Sequence, residues 1–574
     1  MNKLTSILGL CLLIAFGSWS CSNPPPEASL TRIRAQLPKE PRRLFPLLAA
    51  TSYETQVNDL IYQYLLHFDP VSGVIVPQLA AEMPEVSELP DGNTQYSFTL
   101  RDNIRWSDGQ PLTVDDVLFT FKAIWFPGLA SSPLRGSIRE LVDVKQDQSN
   151  PLSFSILTET KNVNGAAYYG NIPILPEHIY DTEKQMRGVD LPTLVSAVST
   201  DDLPEAIRGF AAEERIASFG KTQVVGSGQY VLDQWQPERF VRLVKDTDFW
   251  AKDLGDALFL SNPDTIEFLP VPDANAAEAM LVNGKLDLLA NMAPRDAVRL
   301  AKDPMFELYS PRQLTRTFIY LNTKDPLLSD ADTRKGLAHL LDVEGFLKDV
   351  QLGFGESLNG PYHPVQPYAK ESDHPMAFSL EQAKESFAKA GWVDSDGDGI
   401  LDRKKNGARQ HLQLEYLYPS ASNSSEALAL LYANAAKEVG VAIAPIGKEF
   451  GAMIGDLTKR NFQLVQGALG GEAIPDDPYG LWHTDSDSPR GKNRSGFGTP
   501  ETDALIDSIR VNLDETSRNR QYLRLAAEIA EQQPVIFLIV PKERLLVNSA
   551  FEPMLTDRRP GYWLPGFRLA NPSN

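Results

Sequence analysis

The chain has 574 residues, 42% hydrophobic and 9% aromatic, with 38 glycines and 42 prolines spread along its length. This composition excludes a mainly disordered protein, and the length exceeds one hydrophobic core, so two or more lobes of roughly 150–250 residues are expected. Fifty-five basic against 75 acidic residues give a formal charge of -20, which argues against nucleic acid or anionic lipid as a partner.

Residues 1–20 read as an export signal: Lys3 is a basic n-region, residues 7–16 an apolar h-region, and residues 17–20 a mostly small run ahead of Cys21. Ten or so apolar residues rise only about 15 Å as a helix, roughly half of a bilayer core, so cleavage before Cys21 fits better than a permanent span. The layout resembles a bacterial lipoprotein signal, in which the cysteine becomes the lipidated first residue; Ser18 stands where that pattern usually has Leu. The alternative is an ordinary secretory signal that contains a cysteine. Cys11 lies inside the h-region, so the mature chain would hold one cysteine without a disulfide partner, and lipidation would cap it. Residues 21–30, with prolines at 24, 25 and 26, read as a lipidated tether. Ser22 and Asn23 lack the aspartate that retains many Gram-negative lipoproteins at the inner membrane.

From Thr31 to about Arg105 the pattern is strands and turns, with residues 96–100 alternating after the turn signal at 90–93. Thr113 caps an expected helix whose first turn holds Asp115 and Asp116, where the helix dipole favours negative charge. The second half changes character. Ser379 and Gln382 are spaced as a capping box for a helix stopping at Gly391. A strand at 412–418, a helix at 424–438 ending at Gly440 and a short strand at 441–444 make a β-α-β unit. A helix at 453–460, a strand at 462–465 and a helix opened by Thr499 and Pro500 follow. A strand-rich first lobe and an α/β second lobe would leave a cleft between them.

Several separated motifs run in order along the chain: Phe68-Asp69-Pro70 with Pro77, Leu79 and Ala80; Trp106-Ser107-Asp108-Gly109 with Asp115-Asp116; Pro176 and His178; Gly226-Ser227-Gly228; Phe249-Trp250; Tyr320 and Asn322 with Arg334. Together they resemble the family 5 extracellular solute-binding proteins, the peptide and nickel class that feeds ATP-driven importers. The resemblance implies an α/β, two-lobed, periplasmic-binding-protein-like fold with a hinge and an extra subdomain in the first lobe. It implies a first lobe at 31–270 with the inserted subdomain at about 59–165, a second lobe at 271–535, and a return to the first lobe at 536–574. The crossings between lobes are expected near residues 269–272 and 533–541, where apolar strands meet prolines. Its partners would be a peptide or small-molecule ligand, ABC permease subunits, and the membrane through the lipid anchor, with the protein itself a monomer in the periplasm or at the cell exterior.

Most of these motifs read as structure. Asp-Gly is a turn dipeptide whatever the function, and two glycines without a following P-loop lysine cradle no phosphate. In peptide-binding relatives an aspartate four residues before a proline takes the ligand's amino group, but four residues before Pro478 stands Ile474, leaving Glu472 or Asp476 as substitutes. Tyr53, Glu54, Asn322, Gly470, Glu472, Asp476 and Trp482 are therefore the candidate ligand-binding residues. The missing anchor keeps sugars, opines and metal chelates as alternatives to peptides. The seven histidines show no short metal-ligand spacing, and no cofactor is expected. Residues 394–405 begin like a calcium loop, but Lys405 stands where a bidentate glutamate is needed, which favours an Asx-rich turn. Without a Gly-x-Ser-x-Gly elbow, a His-Glu-x-x-His helix or a Walker loop, no catalytic residue is assigned. A ligand sensor that kept the binding fold without a transporter remains the alternative role.

Overall fold

The strand Arg32–Leu37 buries Ile33, Ala35 and Leu37 on one face, the period-2 pattern of a half-covered sheet. In the computed structural model, which describes residues 31–570 apart from positions 50, 130, 406 and 490, it lies near the middle of a seven-stranded sheet. Cys21, the signal and the tether lie outside the described residues. Arg32–Leu37 runs parallel to Thr265–Pro270 on one side and to Leu288–Leu289 on the other. Outer positions are taken by Phe240–Lys245 and Tyr230–Gln236 at one edge, and by Leu545–Asn548 and Phe306–Tyr309 at the other.

The inserted strands form a separate four-stranded antiparallel sheet, Glu85–Glu88, Thr94–Thr99, Ser153–Thr158 and Leu141–Gln146. Phe98 and Phe154 stack across it at 5.4 Å and share one core with Ile33, Phe268 and Val547. The second lobe has its own five-stranded sheet, in the order Ala442–Lys448, Gln413–Pro419, Leu464–Gly470, Thr315–Leu321 and Val535–Phe537. Ile319, Tyr416 and Leu464 face one core of this lobe; Phe318 and Val535 face another, with Tyr522 and Trp482.

The expected helices are present. Val114–Trp125 opens on a Thr113/Asp116 capping box, and Pro500–Val511 on a Thr499/Thr502 box with proline in its first turn. At Leu380–Lys389 the Ser379 side chain accepts from the Gln382 N–H.

Two expected boundaries move. Residues 270–272 do not carry the chain across; they lead into the helix Ala274–Val282, which returns it to the same sheet at Leu288–Leu289 as a parallel crossover. The first crossing lies at 310–314, after the edge strand Phe306–Tyr309. The return lies after Pro541 rather than at 536, because Val535–Phe537 is still a strand of the second sheet. The two crossings are bonded to each other: Gln313 N–H donates to the Pro541 carbonyl at 2.9 Å and Glu543 N–H to the Pro311 carbonyl at 2.8 Å. Glu356 braces them through Arg312 at 2.8 Å and Lys542 at 3.2 Å.

The loop at 394–405 closes on itself. Asp394 accepts from the N–H groups of Gly397 and Gly399 at 2.7 and 3.1 Å, Asp396 pairs with Arg409, and Lys405 turns away to Ser329.

The glycine motif at 226–228 and the turn at 106–109 prove to be one joint. Ser107 N–H donates to the Gly226 carbonyl at 2.8 Å, and Gly228 N–H caps the Ile61 carbonyl at 2.8 Å. His178 ties the same turn through Asp108 at 2.7 Å. A Cβ on Gly226 would stand 1.8 Å from the Ile61 carbonyl oxygen. Gly226→Ala is therefore expected to cost about 1–3 kcal/mol or more of stability in chemical unfolding, because backbone must move. Gly209→Ala, which meets nothing within 4 Å, should leave stability unchanged; equal effects of the two would contradict this joint.

Candidate functional site

The helix Ser52–Ile61 buries Val57, Asn58, Leu60 and Ile61 against the first lobe. Helical spacing then turns Ser52, Thr55, Gln56 and Asp59 toward a chamber of about 380 Å³. Its walls come from both lobes: His67 and Phe68 from the first, Thr315, Gly470, Gly471 and Glu472 from the second, and Arg558, Arg559 and Tyr562 from the C-terminal return. A second cavity of about 280 Å³ shares Ser52, Gln56, Arg559, Pro560 and Tyr562 with the first. Gln56 and Tyr562 are joined at this boundary, the Gln56 side-chain amide donating to the Tyr562 hydroxyl at 2.9 Å.

Charge is concentrated on one face of the chamber. Arg558 donates through Nε and Nη2 to the two oxygens of Glu472 at 2.9 and 3.2 Å, and its guanidinium lies 4.6 Å from the Phe68 ring centre. Burial opposes the charge on Arg558, but Glu472 and Asp59 more than offset it and hold the guanidinium above its ordinary value. Burial pushes the Asp59 carboxyl up to about 6, while the Arg558 charge and a hydrogen bond from the Tyr64 hydroxyl act in the opposite direction. His67 stacks on Tyr64 at 4.4 Å and its Nδ1 lies 2.9 Å from the Asn171 amide nitrogen. Burial, with Arg558 adding to it, holds His67 well below the usual imidazole range, so it is neutral at pH 7. The chamber thus offers acceptors and an aromatic surface around a partly compensated pair of carboxylates.

The residues expected from sequence divide. Gly470 and Glu472 line the main chamber and Tyr53 the second cavity. Glu54 is buried and takes hydrogen bonds from Arg42 N–H at 3.2 Å and Thr51 Oγ1 at 3.0 Å, which fixes the helix start rather than facing the chamber. Asn322 closes the far end of its strand, donating to the Phe462 carbonyl at 2.9 Å beside a different surface groove. Asp476 is held by Arg316 at 2.7 Å and by Tyr368, whose ring stacks on Tyr522 at 4.0 Å. Trp482 is buried edge-on to Phe497 at 5.4 Å. Asp476 thus holds the loop beside Glu472, whereas Trp482 packs into a core of the second lobe. Asp59, His67, Arg558 and Arg559 are absent from the sequence-based set. The polar stripe at 52, 55, 56 and 59 was a readable signal for Asp59; nothing local marks the arginines.

Between about pH 4 and about pH 6 the folded protein holds the Asp59 proton while an unfolded carboxyl, titrating near 3.8, has lost it. Stability of the wild type should therefore fall relative to Asp59→Asn as pH rises from about 4 to about 7, by at most about 3 kcal/mol. Chemical unfolding of both proteins across that range checks this, and a pH-independent difference would contradict it.

The sequence pattern of Bacterial extracellular solute-binding proteins, family 5 Middle, matches residues 74–492. The oligopeptide-binding protein AppA of Bacillus subtilis (strain 168) is 25% identical over 522 residues, covering 89% of this chain and 87% of the relative. The structure of AppA from Bacillus subtilis in complex with a nonapeptide superposes with a TM-score of 0.70 at 22% identity, over 94% of this chain and 99% of that one. NikZ from Campylobacter jejuni in complex with Ni(L-His) gives a TM-score of 0.70 at 19% identity, over 92% and 96%. At these identities the structures establish the two-lobed fold; the family pattern, spanning well over half of the chain, establishes more. This chain belongs to the family 5 bacterial extracellular solute-binding proteins.

Proposed function

We propose that the protein is the substrate-binding lipoprotein of an ABC importer, capturing an oligopeptide-like solute between its lobes and delivering it to permease subunits in the membrane. The observation that carries this reading is the chamber itself: a few hundred cubic ångströms walled by both lobes, with Asp59 and Glu472 among its polar groups. A ligand that touches both walls at once favours the closed arrangement over the open one, which is the differential affinity a capture protein requires. An ammonium group brought into the chamber would meet the two carboxylates that Arg558 alone now compensates. The nonapeptide bound by the Bacillus subtilis relative supports the peptide class. In this reading residues 1–20 are removed, Cys21 carries the lipid, residues 21–30 tether a monomer at the membrane surface, and no reaction is catalysed. Among the described residues no helix is long and apolar enough to cross a membrane.

Native mass spectrometry of protein gently extracted from membranes tests both parts. The expected result is a chain that starts at Cys21 with added acyl mass and carries a non-covalent passenger fragmenting as a peptide. A sugar or metal chelate as passenger would overturn the peptide class, and an unacylated chain would overturn the anchor.

A further inference from the structure

The lobes also meet along the inserted subdomain, through residues that line neither cavity. Arg510 lies in the last turn of the helix Pro500–Val511 of the second lobe, and the Val163 N–H donates to its carbonyl at 2.8 Å. The final C=O groups of a helix have no partner within the helix itself, so this one is satisfied from the other lobe. The Arg510 side chain is aimed by its own lobe, Nε lying 3.3 Å from Asp477, and its Nη2 reaches Glu140 of the subdomain at 3.5 Å. With side-chain exposures of 15% and 19%, Arg510 and Glu140 are less screened than a surface ion pair. Burial opposes the Arg510 charge, but Asp477 and Glu140 more than offset it. Arg139, next to Glu140, brings its guanidinium to 4.9 Å from the Tyr479 ring centre, and Arg510 lies 4.8 Å from the same ring. The turn at 69–74 completes the seam: a Cβ on Gly73 would stand 3.5 Å from the Ala473 Cβ of the second lobe.

A backbone hydrogen bond, a shared guanidinium and the Asn164 amide on the Pro475 carbonyl at 2.7 Å thus tie the subdomain to one face of the second lobe. None of these residues belongs to the connecting segments at 310–314 and 541–545, so a lobe swinging there as a body must break every one of these contacts. Parting the lobes returns the groups to water instead of leaving them buried and bare, which makes the seam reversible. We propose that the inserted subdomain is a clasp, held shut by Val163 and Glu140 on Arg510, which keeps the lobes together with or without a solute and must open before any solute leaves. This goes beyond the capture reading above, since the clasp acts on whichever solute the chamber takes.

Hydrogen exchange of the mature protein, stripped of passenger and read by mass spectrometry, tests the clasp directly, because the Val163 N–H finds its acceptor across the seam. Val163 is expected to exchange slowly in the wild type and about 3- to 10-fold faster in Glu140→Gln. The strand Thr94–Thr99 of the same subdomain should exchange at the wild-type rate, which also shows that the variant is folded. Adding Glu140→Gln to Arg510→Gln should accelerate Val163 no further than Arg510→Gln alone, since both remove one contact. Equal rates at Val163 in the wild type and Glu140→Gln overturn the clasp. An acceleration that Thr94–Thr99 shares overturns it too, because the subdomain itself would then be loosening.

Discussion

The contact of Arg558 with Glu472 joins parts of the chain that are 86 residues apart in sequence and belong to different lobes. Arg558 sits on the return segment packed into the first lobe, Glu472 on a loop of the second, and Asp59, whose field Arg558 also feels, on the helix that floors the chamber. One guanidinium faces two carboxylates, so removing Arg558 would leave both acids without a compensating charge, which is the costly arrangement. Yet the pair is only partly buried, with side-chain exposures of 23% and 38%, and such contacts contribute on the order of 1 kcal/mol or less. That is small against the separate cores of the two lobes, so the lobes can part without either unfolding.

The rest of the architecture serves to present these three groups. Asp476, Arg316 and the Tyr368–Tyr522 stack pin the loop behind Glu472, and the inserted subdomain reaches the same loop through Asn164, whose amide donates to the Pro475 carbonyl at 2.7 Å. On the facing wall, glycines at 226 and 228 let the chain press against the last turn of the helix that carries Asp59. The connecting segments at 310–314 and 541–545 are tied to one another, so bending there moves one lobe as a body.

Local patterns read well because local physics determines them. Capping pairs at Thr113 and Thr499, the alternation at 94–99 and the β-α-β unit after residue 412 are set by spacing within a few residues. The first crossing was misplaced because Pro270 and Pro272 end a strand just as a linker would, and only the pairing of Leu288–Leu289 with the first sheet shows that the chain returns. The site was half legible. Glu472 and Gly470 follow from the loop that the family resemblance marks, whereas Asp476 and Trp482 in the same stretch face inward, a choice made by Arg316 and Phe497 from distant segments. Arg558 and Arg559 are adjacent and chemically identical; tertiary contacts give one an acid and, among the described residues, leave the other without one within 4.0 Å.

Small-angle X-ray scattering of the protein as purified, compared with Glu472→Gln and Arg558→Gln, addresses the central claim most directly. If the ionic contact across the chamber holds the lobes together, both variants show a larger radius of gyration than the wild type, by a similar amount, with unchanged secondary structure. Superimposable scattering curves for all three would contradict it.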